Sequence, residues 1–142
     1  MLNENWIIPC NIKNYDLIDH FKKHNTVVWH NTYSIKKGDF VYFYLSAPYS
    51  EIKYKCIVIN DSVDDDLLKA NSYAILKKKY GVFYPKKIKY IQLKLEYEYP
   101  QGTFPVSNLK ENGLSQVQSQ ARLDRQVMSY ITQISNEING RF

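Results

Sequence analysis

The chain is poor in the residues that staple or punctuate a small fold. Among its 142 residues there are two cysteines, five glycines and five prolines. Cys10 and Cys56 both sit in apolar, strand-like stretches, so they read as buried free thiols rather than a disulfide. Neither belongs to a CxxC or similar spacing, and no metal site follows from them. No run of about 18 apolar residues occurs, which excludes a membrane-spanning helix. A Gly-rich phosphate loop, the paired histidine and asparagine motif of a metal nuclease, and a nucleophile set beside a base and an orienting acid are also missing. The expectation is a protein with no enzymatic activity, no cofactor and no membrane partner. With no basic and apolar leader at its start, it is expected to be cytoplasmic.

Aromatics and lysine are abundant instead. Thirteen tyrosines bring the aromatic content to 15%, and the formal net charge is +5. Basic charge mixed with aromatics makes a surface that neutralises phosphates and stacks bases. Lysine-rich chains reach the same balance without such a partner, so composition alone does not choose.

At 142 residues the chain is expected to be one domain, residues 1–142, large enough to bury a core unaided. That core is organised by Phe40 to Leu45, an aromatic run with no polar face, which predicts a strand covered on both sides. It enters from a Gly38-Asp39 turn and returns as a strand in which Ile52, Tyr54, Cys56 and Val58 share a face while Lys53 and Lys55 open the other. The corner between them, Ser46-Ala47-Pro48-Tyr49, joins small residues to an exposed aromatic and exceeds what a plain core hairpin needs. Elsewhere, Asn5 to Asn11 predicts a first strand edged by Pro9. Asn14 or Asp16 caps a short helix over Leu17 to Phe21. Ile91, Leu93, Leu95, Tyr97 and Tyr99 predict a long one-sided strand. Ser107 is expected to cap a short helix closed by Gly113, and Leu123 to Ile138 predicts a final helix with one apolar stripe.

Three stretches carry candidate chemistry. In Val27-Val28-Trp29-His30-Asn31 a large aromatic leaves a strand beside two polar side chains, which is how a pocket wall is joined to hydrogen-bonding groups. His20 and His24 share a helix face with Asp16, but no further metal ligand is placed, so a solvated helix end is the stronger reading. The segment Lys77-Lys78-Lys79, Tyr80 to Pro85, Lys86-Lys87 interleaves cations with aromatics and is a candidate phosphate-contacting flap.

The order of these motifs resembles the EVE domain of the PUA-like superfamily. The residues that carry it are Trp6-Ile7-Ile8-Pro9 with Asn11, Val28-Trp29, Gly38-Asp39 through Tyr49, Tyr54-Lys55-Cys56, and a tail from Leu109 to Leu114 with Gln118 to Tyr130 that looks like a bacterial EVE-like subgroup. Where relatives often have Gly-Pro before the arginine, this chain has Ser119-Gln120-Ala121-Arg122. The resemblance implies an α+β, PUA-like fold: a barrel-like mixed β-sheet of five to six strands with flanking helices. It also implies a pocket that takes an extruded, modified base, as in the related YTH domains and in reader modules of bacterial restriction systems. Trp29 would form a wall of an aromatic cage. Asn11 would meet the base edge, with Pro9 and Cys10 beside it, and Ser46, Ala47, Pro48 and Tyr49 would form the rim. The remaining cage aromatic would come from Tyr73, Tyr80, Phe83 or Tyr84. Lys36, Lys37, Lys53 and Lys55, with the Lys77 to Lys87 cluster, would attract the phosphates. The expected partner is thus a nucleic acid with a modified base, DNA before RNA, with a role in defence beside a separately encoded nuclease as one setting for it. The alternative is a small-molecule or protein-interaction module that uses the same aromatic pocket.

Overall fold

Strand β1 (Asn5–Cys10) leads through helix α1 (Leu17–Lys23) to β2 (Thr26–Asn31), and β3 (Phe40–Leu45) and β4 (Glu51–Asn60) form the expected hairpin. Helix α2 (Asp65–Asn71), β5 (Lys89–Glu98), α3 (Val106–Glu111), β6 (Ala121–Arg122) and α4 (Arg125–Asn139) complete the order. This computed structural model describes residues 3–71 and 89–139. The expectations placed on Tyr73, Tyr80, Phe83, Tyr84 and on Lys77, Lys78, Lys79, Lys86 and Lys87 lie outside the described residues.

The described strands form one mixed sheet in the order β2-β5-β4-β3-β1-β6, antiparallel except for the parallel pair β1 and β3. In that order β2 and β1 lie four strands apart, yet residues 11–25 join them. Gln120, just before β6, bonds the backbone of His30 and Thr32 at the end of β2, which brings the two edge strands together. The sheet is curled, and α1 packs Leu17, Ile18 and Phe21 against the apolar cluster on its concave side. That cluster holds Ile8, Trp29, Val41, Phe43, Tyr54, Cys56 and Leu93. On the convex side α3 and α4 bury Leu109, Val127 and Ile131 against Ile7, Tyr42, Ile52 and Tyr99, while Leu68 of α2 packs on Val28 and Tyr90.

Phe40 to Leu45 is central and covered on both faces, as its lack of a polar side requires. Bulges alter the alternation in β4 and β5. Between Phe43 and Tyr44 the register skips Lys53, so Ile52 turns to the convex cluster while Tyr54, Cys56 and Val58 remain concave. Between Lys55 and Cys56 it skips Glu96, so Tyr97 and Tyr99 leave the face that holds Ile91, Leu93 and Leu95. An extra residue in one strand reverses the side on which every later residue falls. The one-sided strand read from the sequence is therefore two-sided.

Helix α1 is capped by Asp16, whose Oδ1 accepts from Asp19 N at 3.0 Å. Helix α3 begins one residue before the expected Ser107, with Pro105 at the cap position and no side-chain cap bond. A proline there has its φ preset and gives up no hydrogen bond that the first turn would make. Gly113 stops it at φ +107, and Leu114 N bonds Leu109 O at 3.0 Å.

Candidate nucleic-acid interface

The two edges of the curled sheet, β2 and β6, are stitched together by a side chain. Gln120, buried just before β6, donates from Nε2 to His30 O at 2.7 Å and accepts at Oε1 from Thr32 N at 2.9 Å. Trp29 stands beside this seam in β2, 5% exposed. Its ring meets Phe43 at 5.0 Å and the edge of Tyr15 at 6.3 Å and 77°. The Trp29 indole N–H is buried and has no hydrogen-bond partner among the described residues. Leaving such a donor unmet costs about 1–3 kcal/mol, which an acceptor brought by water or a ligand would recover.

Tyr15 links Trp29 to the first strand's end. Its backbone N donates to Asn11 O at 3.1 Å, and Cys10 Sγ donates to Tyr15 O at 3.6 Å. Ser46 N donates to Cys10 O at 3.0 Å, and Ser46 Oγ accepts from Ile12 N at 3.0 Å. Cys10, Asn11, Ser46 and Trp29 are thus brought together, with Pro9 half-buried in β1. Ala47 and Pro48 lie exposed at the corner beyond Ser46, and Tyr49 packs partly against the concave cluster. The Asn11 side chain accepts from Lys13 N at 3.1 Å and is otherwise exposed. Asn31 is used differently: its Nδ2 donates to Ile35 O at 3.0 Å and clips the loop that follows β2. His30 ring-stacks beside Trp29 at 6.1 Å.

Burial pushes the Cys10 thiol up to about 12, with Asp16 adding to it, and burial raises Cys56 further still. Both stay protonated near neutrality, unlike an activated nucleophile. His20 donates from Nε2 to Thr26 O at 2.7 Å, because a carbonyl only accepts; Nδ1 is then left to accept from Tyr15 OH at 2.5 Å. Burial, aided by nearby His24, holds His20 below the ordinary histidine value despite that bond to Thr26. The imidazole is thereby kept neutral as the acceptor that orients Tyr15 against Trp29. Among the described residues no group of three His, Cys, Asp or Glu side chains is placed to hold a metal ion. None of the described helices is long and apolar enough to cross a membrane.

The lysines separate. Lys36 and Lys37 are exposed on the loop before β3, where Lys36 N donates to Asp39 Oδ2 at 3.0 Å and Lys37 N to Asp61 Oδ2 at 2.9 Å. Lys55 lies opposite Tyr42 and Tyr97, on the convex face and away from Trp29. Its Nζ stands 4.6 Å from the Phe40 ring centre, in a cleft of about 250 Å³ shared with Glu96, Ser135 and Asn139. Lys53 Nζ donates to Tyr99 O at 3.0 Å and neighbours Glu98 at 3.6 Å. The cation at the seam is Arg122, opposite Trp6 in the β1–β6 pair, with its guanidinium carbon 5.1 Å from the Trp6 ring. Sequence reasoning missed Tyr15, Gln120 and Arg122 as parts of this site. The signal available was the break at Ser119 to Arg122 in an otherwise matching tail.

No protein-family model matches this chain, and no curated protein does. Several solved structures share its fold. A hypothetical protein from Leishmania major is 18% identical over 97% of this chain and 98% of its own, with a TM-score of 0.67. A mutant of an ASCH protein from Zymomonas mobilis is 12% identical over 93% of this chain and 96% of its own, with a TM-score of 0.62. The human THYN1 protein, solved in complex with 5-methylcytosine-containing DNA, is 13% identical over 95% and 98%, with a TM-score of 0.63. The chain thus has the PUA-like fold that its motif order implies.

Proposed function

We propose that this chain is a non-enzymatic, EVE-type nucleic-acid-binding module that takes a modified base, in DNA rather than RNA, at the aromatic site around Trp29. The observation that carries the reading is the buried Trp29 indole N–H without a partner, set beside Tyr15 and the backbone of β1's end. A base supplies on its edge the acceptor that this indole N–H lacks, and adds a further ring to the aromatic cluster. Removing a base from a duplex costs a few kcal/mol of stacking and pairing, which stacking worth about 1–3 kcal/mol per base and edge hydrogen bonds offset. A methyl group adds apolar surface that an aromatic wall rewards modestly, with a ceiling of about 1–3 kcal/mol. The human protein of the same fold, solved with 5-methylcytosine DNA, supports that ligand class. The protonated thiols support a binding role over nucleophilic chemistry.

The test is equilibrium binding to one short duplex prepared plain, cytosine-methylated, hydroxymethylated and adenine-methylated, at two salt concentrations. Preference for one modified form that survives the higher salt is expected. Equal, salt-sensitive binding to all four would reduce the site to a basic surface. No binding at all would turn attention to RNA and then to small molecules.

A further inference from the structure

Four residues beyond Trp29 the chain presents Tyr33, the large aromatic that stands out to solvent among the described residues, 52% exposed. An aromatic ring so placed usually turns to cover itself. Here it is pinned. Its ring stacks on Trp6 at 6.3 Å and 14°, and Trp6 Nε1 donates to Asp39 Oδ2 at 3.0 Å. Asp39 is itself buried and also receives Glu4 N at 3.1 Å and Lys36 N at 3.0 Å. The loop is clamped on either side of the ring, by Gln120 at Thr32 N and by Asn31 at Ile35 O. Arg122 stands against the same Trp6, in a solvent-exposed ion pair with Glu4 at 3.6 Å that phosphate oxygens can replace. An exposed ring and a guanidinium held against the same tryptophan offer a base and a nearby phosphate one partner each, and rigidity lowers the ordering cost of binding.

We infer that Tyr33 is a second stacking platform, which holds the unpaired base next to the one taken at Trp29, so that the ligand is a strand of two or more nucleotides rather than a free nucleobase. This rests on the reading above. The probes are a nine-nucleotide single strand with one central 5-methylcytosine, the same strand with abasic sites on both sides of it, and the corresponding intact duplex. Tyr33→Ala weakens binding of the intact strand about tenfold while matching the wild type on the abasic strand, and Tyr33→Phe binds both as the wild type does. Equal affinity of Tyr33→Ala and wild type for the intact strand overturns the inference, and so does an equal loss on both strands. Wild-type binding to the duplex but not to the strand also overturns it while leaving the base-reading proposal standing. A wild type that binds none of the three removes both.

Discussion

Gln120 and His30 join the two edges of the sheet: the Gln120 amide donates to the His30 carbonyl at 2.7 Å, and its oxygen takes Thr32 N at 2.9 Å. A single buried side chain does here what a further pair of strands does in a closed barrel. Gln120→Ala removes both bonds across the seam, so unfolding free energy should fall by about 1–3 kcal/mol. Gln120→Glu should lose nearly as much, because it supplies no donor to the carbonyl. Urea unfolding checks both, and a Glu variant as stable as the wild type would show that the seam is held by packing.

Trp29 is both a core residue and the proposed wall, so its test variant must keep its bulk. Trp29→Ala empties a buried site and should cost about 3–5 kcal/mol, which confounds any binding measurement. Trp29→Phe removes the unmet indole N–H and retains an aromatic face. It should stay folded by thermal melting, weaken the modified duplex and narrow its advantage over the plain one. Unchanged preference in this variant would remove Trp29 from the reading of the base.

The placement of the cations gives an opposed pair of outcomes. Arg122→Gln should weaken all duplexes about equally and reduce the slope of log affinity against log salt by about 1. Lys55→Gln should leave affinity and slope unchanged, since Lys55 lies over Phe40 on the convex face. A reversed result in salt-titrated anisotropy would move the interface to that face.

His20 makes the fold sensitive to acid. Burial lowers its folded-state value beneath the ordinary 6.5, so at pH below 6.5 the unfolded chain binds the extra proton and the native one resists it. Stability should therefore fall as pH drops from 6.5 towards the lowered native value, then level off from this residue's contribution. Protonation also takes away the Nδ1 acceptor that holds Tyr15 OH. His20→Gln should flatten that part of a plot of melting temperature against pH, and an unaltered plot would assign the acid sensitivity elsewhere.

Much of the fold was legible because its signals are local. The unrelieved apolar run of Phe40 to Leu45 could lie nowhere but inside the sheet, and Asp16 and Gly113 mark helix ends by chemistry that acts within a turn. The site was legible in part. A tryptophan leaving a strand beside polar residues pointed to Trp29, yet nothing local announced that Tyr15 lies against its ring or that Gln120 bonds the backbone 88 and 90 residues away.

By itself the sequence determined where most strands and helices lie, which of them are buried, and that the chain is rich in aromatics and cations, because hydrophobic period and capping are properties of neighbouring residues. Only the tertiary structure decided which way side chains face beyond the bulges at Lys53 and Glu96, which places Ile52 and Tyr97 on the convex side, away from Trp29. It also decided that Arg122 and Tyr33 share the seam through Trp6. Register and curl are set by pairing between distant strands, and a one-residue offset in that pairing reverses every face that follows.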